Sequence, residues 1–266
     1  MKQIAAAGVV LVLSCGVRSS GDASPGSVEE GPAAVASPNR QSAEGSAPAT
    51  AGPSAVGYAE AVAEISADRL RLRAALASAS TDAERQRILA EARRTFHDAV
   101  TEALFPAWMG TPWAMNGMAE RPGEEAVACG YFVATILRDA GFELHRVRFG
   151  QAAALRIQEA TTPPGREVHR IFSIPPADLA KRIAGYGDGL YVIGLNIHVG
   201  FVHVHDGEVR FVHSSYTDDV VIDESLATSV AIANSQPAGY FVSELMSTDA
   251  AAERWLRGVE AKLPPA

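Results

Sequence analysis

The stretch His198-Val199-Gly200-Phe201-Val202-His203-Val204-His205-Asp206-Gly207-Glu208-Val209-Arg210-Phe211-Val212-His213-Ser214-Ser215 reads as two β-strands joined by a two-residue turn. Asp206-Gly207 suits a tight hairpin because both positions tolerate positive φ. With that loop, His205 opposes Glu208, Val204 opposes Val209, Val202 opposes Phe211 and Gly200 opposes His213. Side chains alternate faces along a strand. His198, Gly200, Val202 and Val204 therefore share a face with Val209, Phe211, His213 and Ser215. That face is mostly apolar and is expected to meet the helix that carries the candidate nucleophile. His203 and His205 fall on the other face with Arg210 and Glu208, where charge points to solvent. The count thus selects His198 and His213 from seven histidines. They are diagonal neighbours within hydrogen-bond reach, with Gly200 leaving room between them. A three-residue loop would put them on opposite faces, so the pairing depends on register.

The candidate nucleophile is Cys129, one of two cysteines. It follows a loop-like stretch, 120–125, with Pro122-Gly123 inside it, and opens a helical run that Gly141 stops. A thiol in the first turn of a helix faces the positive end of the macrodipole and unpaired backbone N–H groups. That placement is expected to lower its pKa and favour the thiolate. His198 would take the thiol proton, and His213 would fix the ring and tautomer of His198. The plainer alternatives are a small buried Cys129 and a histidine pair satisfied within the core. A zinc reading would use His203-Val204-His205. The sequence places no acidic or cysteine partner evidently beside that pair, so neither a metal nor a cofactor is expected.

Around this centre the chain runs helices first, then strands. Residues 58–78 carry apolar marks at Val62, Ile65, Leu70, Leu72 and Leu76. Thr81-Asp82-Ala83-Glu84 has the pattern of a capping box and starts a second helix reaching about Leu104. The two form an expected hairpin, 58–104, that caps the rest. Residues 105–123 are loop chemistry with Trp108, Trp113 and Asn116-Gly117. Residues 144–149 are expected as a short strand, 151–160 and 177–183 as helices. Strands are expected at 190–196, 198–205, 208–216, 220–222 and 240–245, and a terminal helix at 248–262. The sum is an α+β fold, with helices against one face of an antiparallel sheet.

The N-terminus differs in character. Met1-Lys2 precedes an apolar run, Ile4 to Leu13, too short to span a bilayer stably but suited to a signal peptide. Val12-Leu13-Ser14-Cys15 resembles the lipobox of bacterial lipoproteins, which implies a signal peptide at 1–14 and lipid attachment at Cys15. Residues 15–57 are rich in Ala, Ser, Gly and Pro and lack any aromatic residue. They bury too little apolar surface to offset ordering entropy and are expected to act as a flexible tether. A net charge of −8 and the lack of a basic stripe argue against nucleic acid.

Taken together, a Cys opening a helix, a later strand beginning His198-Val199-Gly200-Phe201-Val202, and Val209-Arg210-Phe211-Val212-His213-Ser214-Ser215 resemble the NlpC/P60-type cysteine peptidases. These are papain-like α+β enzymes that cut bacterial cell-wall peptides. The resemblance covers about Trp108 to Tyr216 and extends toward Leu245, within a catalytic domain placed at 105–247 and followed by a C-terminal helix at 248–266. It implies Cys129 as nucleophile, His198 as base and His213 as its orienting partner. It also implies that Trp113 or Asn116 helps hold the oxyanion beside the Cys129 N–H. Two departures stand out. The setting here is Ala128-Cys129-Gly130 where the family usually has Asp-Cys-Ser, and the segment between Cys129 and His198 is longer. The expectation is a lipid-anchored cell-envelope hydrolase of amide bonds, acting on peptidoglycan stem peptides; the alternatives are a thiol acyltransferase or amidase on a non-wall substrate and a non-catalytic lipoprotein binding module. It would face the periplasm or the exterior, and its membrane contact would be the N-terminal anchor.

Overall fold

A computed structural model describes residues 55–265. The expected signal peptide, the lipidation position Cys15 and the tether up to residue 54 lie outside the described residues. Helix α1 (Ala55–Ser78) begins three residues earlier than expected. Helix α2 (Asp82–Asp98) starts at the capping box. Thr81 accepts from the Glu84 N–H at 3.2 Å, and the Glu84 carboxylate accepts the Thr81 N–H at 3.2 Å. The helix then widens to a π-turn over Ala99–Leu104 before α3 (Phe105–Trp108). Pro106 has no N–H for the carbonyl four residues back, and its ring crowds that carbonyl. The wider turn relieves both.

Helices α4 (Cys129–Asp139), α5 (Arg146–Gly150) and α6 (Ala154–Thr161) follow. The short strand expected at 144–149 is therefore a helix turn. His145 starts it by accepting the Arg148 N–H at 3.4 Å, and the Arg146 side chain is consumed in tertiary bonds. Strand β1 (His169–Ile171), α7 (Pro176–Ala184), β2 (Gly189–Gly194), β3 (Val199–His205), β4 (Glu208–Ser214) and β5 (Val221–Ser225) come next. The chain closes with α8 (Val230–Ser235), β6 (Tyr240–Glu244) and α9 (Asp249–Arg257). The sheet is six-stranded and antiparallel, in the order β1-β6-β2-β3-β4-β5. The architecture is α+β. No helix among the described residues is long and apolar enough to cross a membrane.

The β3–β4 register pairs His205 with Glu208, Val204 with Val209 and Val202 with Phe211, as the turn chemistry implied. Asp206 and Gly207 both adopt positive φ, 50° and 77°. Two expectations about the faces are overturned. The sheet is covered on both sides, not one. And α4 does not pack on the face of His198 and Val202. Phe132 of α4 meets Phe201, with ring centroids 6.1 Å apart, and Val199 and Val212 join that layer. Val202, Val204, Val209 and Phe211 instead pack under Leu179 and Ile183 of α7, with Leu226 and Ile232. The unexpected α8 and the length of α7 supply this second cover. The sequence count fixed which residues share a face but carried no information about which helix covers it.

The helical hairpin packs on the rest of the fold. Leu72, Leu76, Leu89 and Phe96 share one core with α4, α9 and the sheet. The Tyr58 hydroxyl donates to Asp139 at 2.6 Å and accepts from the Trp108 indole N–H at 2.9 Å. This buried set ties α1 and α3 to the end of the Cys129 helix.

Candidate active site

Helix α4 begins at Cys129 because Ala128 is extended (φ −81°, ψ 156°) and the next residues turn helical. No side chain caps this end. Its first N–H groups carry the positive end of the helix dipole. Gly130 is dictated by packing. A Cβ there would lie 2.4 Å from the Gly150 carbonyl oxygen, so α5 crosses the helix start at backbone contact. That crossing accounts for Gly130 in the Ala-Cys-Gly setting of the thiol.

The loop that delivers Cys129 is tightly held. Buried Arg146 donates to the carbonyls of Met118 and Ala119 at 2.9 and 2.6 Å, and to Thr135 Oγ1 at 2.7 Å. The Ser214 hydroxyl donates to the Val127 carbonyl at 2.6 Å. That bond fixes the approach to Cys129 against β4, one residue beyond His213.

At the other side of the cleft His198 and His213 meet. His198 Nε2 and His213 Nδ1 are 2.7 Å apart, and both rings are buried. Gly200 makes this possible, because a Cβ there would come within 2.8 Å of the His213 Cβ and 2.7 Å of the Phe211 ring. Phe211 stacks on His213 with centroids 3.9 Å apart. Behind His213 stands a residue the sequence reading missed. Glu224 Oε1 lies 3.1 Å from His213 Nε2. It was legible in principle. Extending the strand at 220–222 by two residues and counting parity across β4–β5 places Glu224 opposite Phe211, diagonal to His213.

The three groups fix one another's protons. Burial pushes the Glu224 carboxyl up, but hydrogen bonds from His213 and Ser229 outweigh it and hold its pKa below the usual value. Ionised Glu224 is acceptor-only, so His213 carries its proton on Nε2. His213 Nδ1 is then an acceptor, and His198 donates to it from Nε2. The Nδ1 lone pair of His198 is left free. Burial, and then the neighbouring His213, push the His198 pKa down to about 3, so the ring is neutral near pH 7, with Nδ1 unprotonated.

Cys129 and His198 line one cleft of about 360 Å³, walled by Gly150, Ala154, Leu155, Ile197 and Phe241. Apart from the His198 ring, its lining carries no ionisable nitrogen or carboxylate. Among the described residues no hydrogen bond joins the sulfur to the His198 ring. The backbone N–H groups of Val199, Gly130 and Cys129 itself lie against the thiol instead. Burial pushes the thiol pKa up, and these donors only partly offset it. The expectation of a thiol pKa lowered by the helix start is therefore corrected: burial raises it by more than the neighbouring N–H donors lower it. Trp113 and Asn116 do not line the cleft. Trp113 pairs through its backbone with Val127 and donates its N–H to Asp219 at 2.7 Å, while Asn116 is exposed. Comparison with protein-family models, curated proteins and solved structures finds no match to this chain.

Proposed function

We propose that the protein is a cysteine hydrolase of amide bonds, of the NlpC/P60-type and papain-like kind, with Cys129 as nucleophile, His198 as base and His213 as the residue that positions His198. The observation that carries this reading is the 2.7 Å ring-to-ring bond between His198 and His213 at the wall of the Cys129 cleft. A histidine with one nitrogen engaged by an oriented partner and the other free is the arrangement a general base requires. Glu224 extends the relay by one member.

The thiol is protonated at rest. His198 Nδ1 removes its proton as the sulfur attacks the substrate carbonyl, and the C–S bond forms. The developing oxyanion is stabilised by the Cys129 N–H and the uncapped first turn of α4. Imidazolium His198 then protonates the leaving amine as the C–N bond breaks. Water, deprotonated by the same ring, cleaves the thioester and restores the thiol. Peptidoglycan stem peptides are the proposed substrate and the cell envelope the proposed site of action, on the lipoprotein-like N-terminus.

The test is digestion of purified stem peptides by the full chain, with new amines as readout. Cys129→Ala is expected to abolish release, and unchanged release from that variant would sink the proposal. One observation favours a second reading, a non-catalytic binding module: the half-buried thiol has its pKa raised. The two separate on iodoacetamide labelling. The hydrolase requires His198→Ala to slow labelling of Cys129, whereas the binding module requires no dependence on His198.

A further inference from the structure

At the far end of β3 from His198, three ligand groups converge. Asp188, His205 and Asp206 place a carboxylate oxygen, an imidazole nitrogen and a second carboxylate oxygen within 4.8 Å of one another. They come from different places in the chain. Asp188 precedes the first residue of β2, His205 ends β3, and Asp206 opens the β3–β4 turn. Gly189 pairs with Val204, so Asp188 continues the register to a position beside His205. The Asp188 carboxylate is tied to the turn. Asp206 sits at φ 50°, and its N–H donates to Asp188 Oδ2 at 3.1 Å, holding the two acids together despite their like charge. The sequence reading found the His203-Val204-His205 pair but no acid beside it, and the fold supplies two.

Behind His205 lies a second imidazole. The His203 and His205 rings stack with centroids 6.0 Å apart. His203 Nε2 is buried and has no hydrogen-bond partner among the described residues. Glu208, directly opposite His205, is bonded to Arg210 at 3.4 Å and does not enter the set.

We propose that Asp188, His205 and Asp206 form a binding site for a divalent cation of the zinc class, a clip between the start of β2 and the β3–β4 turn. The donor set decides the class. Imidazole with carboxylates suits zinc and its neighbours, whereas calcium and magnesium take oxygen alone. Ligand atoms on one zinc ion lie about 3.4 Å apart, which the exposed side chains reach by small rotations. Water completes the shell. The seven residues of β3 separate this site from His198 by about 20 Å, so the cation is structural and takes no part in the thiol chemistry.

The probe is Zn²⁺ alone, titrated calorimetrically into the full chain carrying Cys15→Ala and Cys129→Ala, so that neither thiol competes. One equivalent is expected to bind and to raise the thermal unfolding temperature, since a ligand that binds only the folded state stabilises it. Asp188→Asn, His205→Ala and Asp206→Asn are each expected to weaken binding at least tenfold and to remove the thermal shift. Asn tolerates the left-handed backbone at 206, so that variant keeps the turn, and apo melting curves check folding of all three. His198→Ala is expected to leave the affinity unchanged. Absence of a one-to-one isotherm overturns the proposal, as does an affinity that none of the three substitutions alters.

Discussion

Glu224 is the residue on which the polarity of the relay turns. Its ionised oxygen, 3.1 Å from His213 Nε2, sets the direction of the whole chain of donors. Glu224→Gln keeps the shape but allows the amide to present either N–H or C=O, so His198 no longer has one defined tautomer. Turnover is expected to fall about 10- to 100-fold, part of the usual general-base contribution, with KM nearly unchanged, and steady-state kinetics check the split. His198 itself makes stability depend on pH. Its folded pKa is about 3, against an ordinary 6.5. Between those values the unfolded chain binds a proton that the folded chain refuses. The stabilisation is therefore full above about pH 6.5 and is lost as pH falls toward 3. Glu224, held below its usual value, adds a loss of the same sign at lower pH. Denaturant midpoints at pH 7 and pH 4.5 are expected to differ by less in His198→Leu than in the wild type. An equal difference would show that His198 is not the buried neutral ring described.

At the scale of elements, the β3–β4 hairpin was legible and its cover was not. Turn chemistry and alternation identified the His198–His213 face because both are local rules. Which helix lies over that face depends on contacts distant in sequence, and α4 covers the opposite one. The Leu144–Phe149 segment misled for a related reason: Val147-Arg148-Phe149 alternates as a strand would, but the Arg146 side chain is drawn into the loop before Cys129. Two glycines mark where elements meet at backbone distance. Gly200→Ala would drive a Cβ into Phe211 and His213. It is expected to cost about 1–3 kcal/mol, as overpacking does, and to reduce activity by splaying the relay. Gly130→Ala meets the backbone of Gly150, which cannot rotate aside, and a loss of similar size is expected in urea unfolding.

For the whole molecule, the helical hairpin and the sheet share one hydrophobic core. Leu72, Leu89 and Phe96 share a core with Phe132 and Trp255, and Tyr58 bonds both Asp139 and Trp108. Tyr58→Phe leaves a buried carboxylate and an indole N–H each short of a partner, a loss expected at about 1–3 kcal/mol. Removal of residues 58–104 is expected to yield an insoluble chain, because it exposes the face of α4 and α9 that those helices cover. The division at residue 104 was natural in sequence, where composition changes, but the core ignores it. The central claim remains the thiol and its base, and the most direct measurement is the rate at which a peptide vinyl sulfone modifies the full chain at pH 7, followed by intact mass. The account predicts a single adduct at Cys129, formed at least tenfold more slowly in His198→Ala. Equal rates in the two proteins would contradict it.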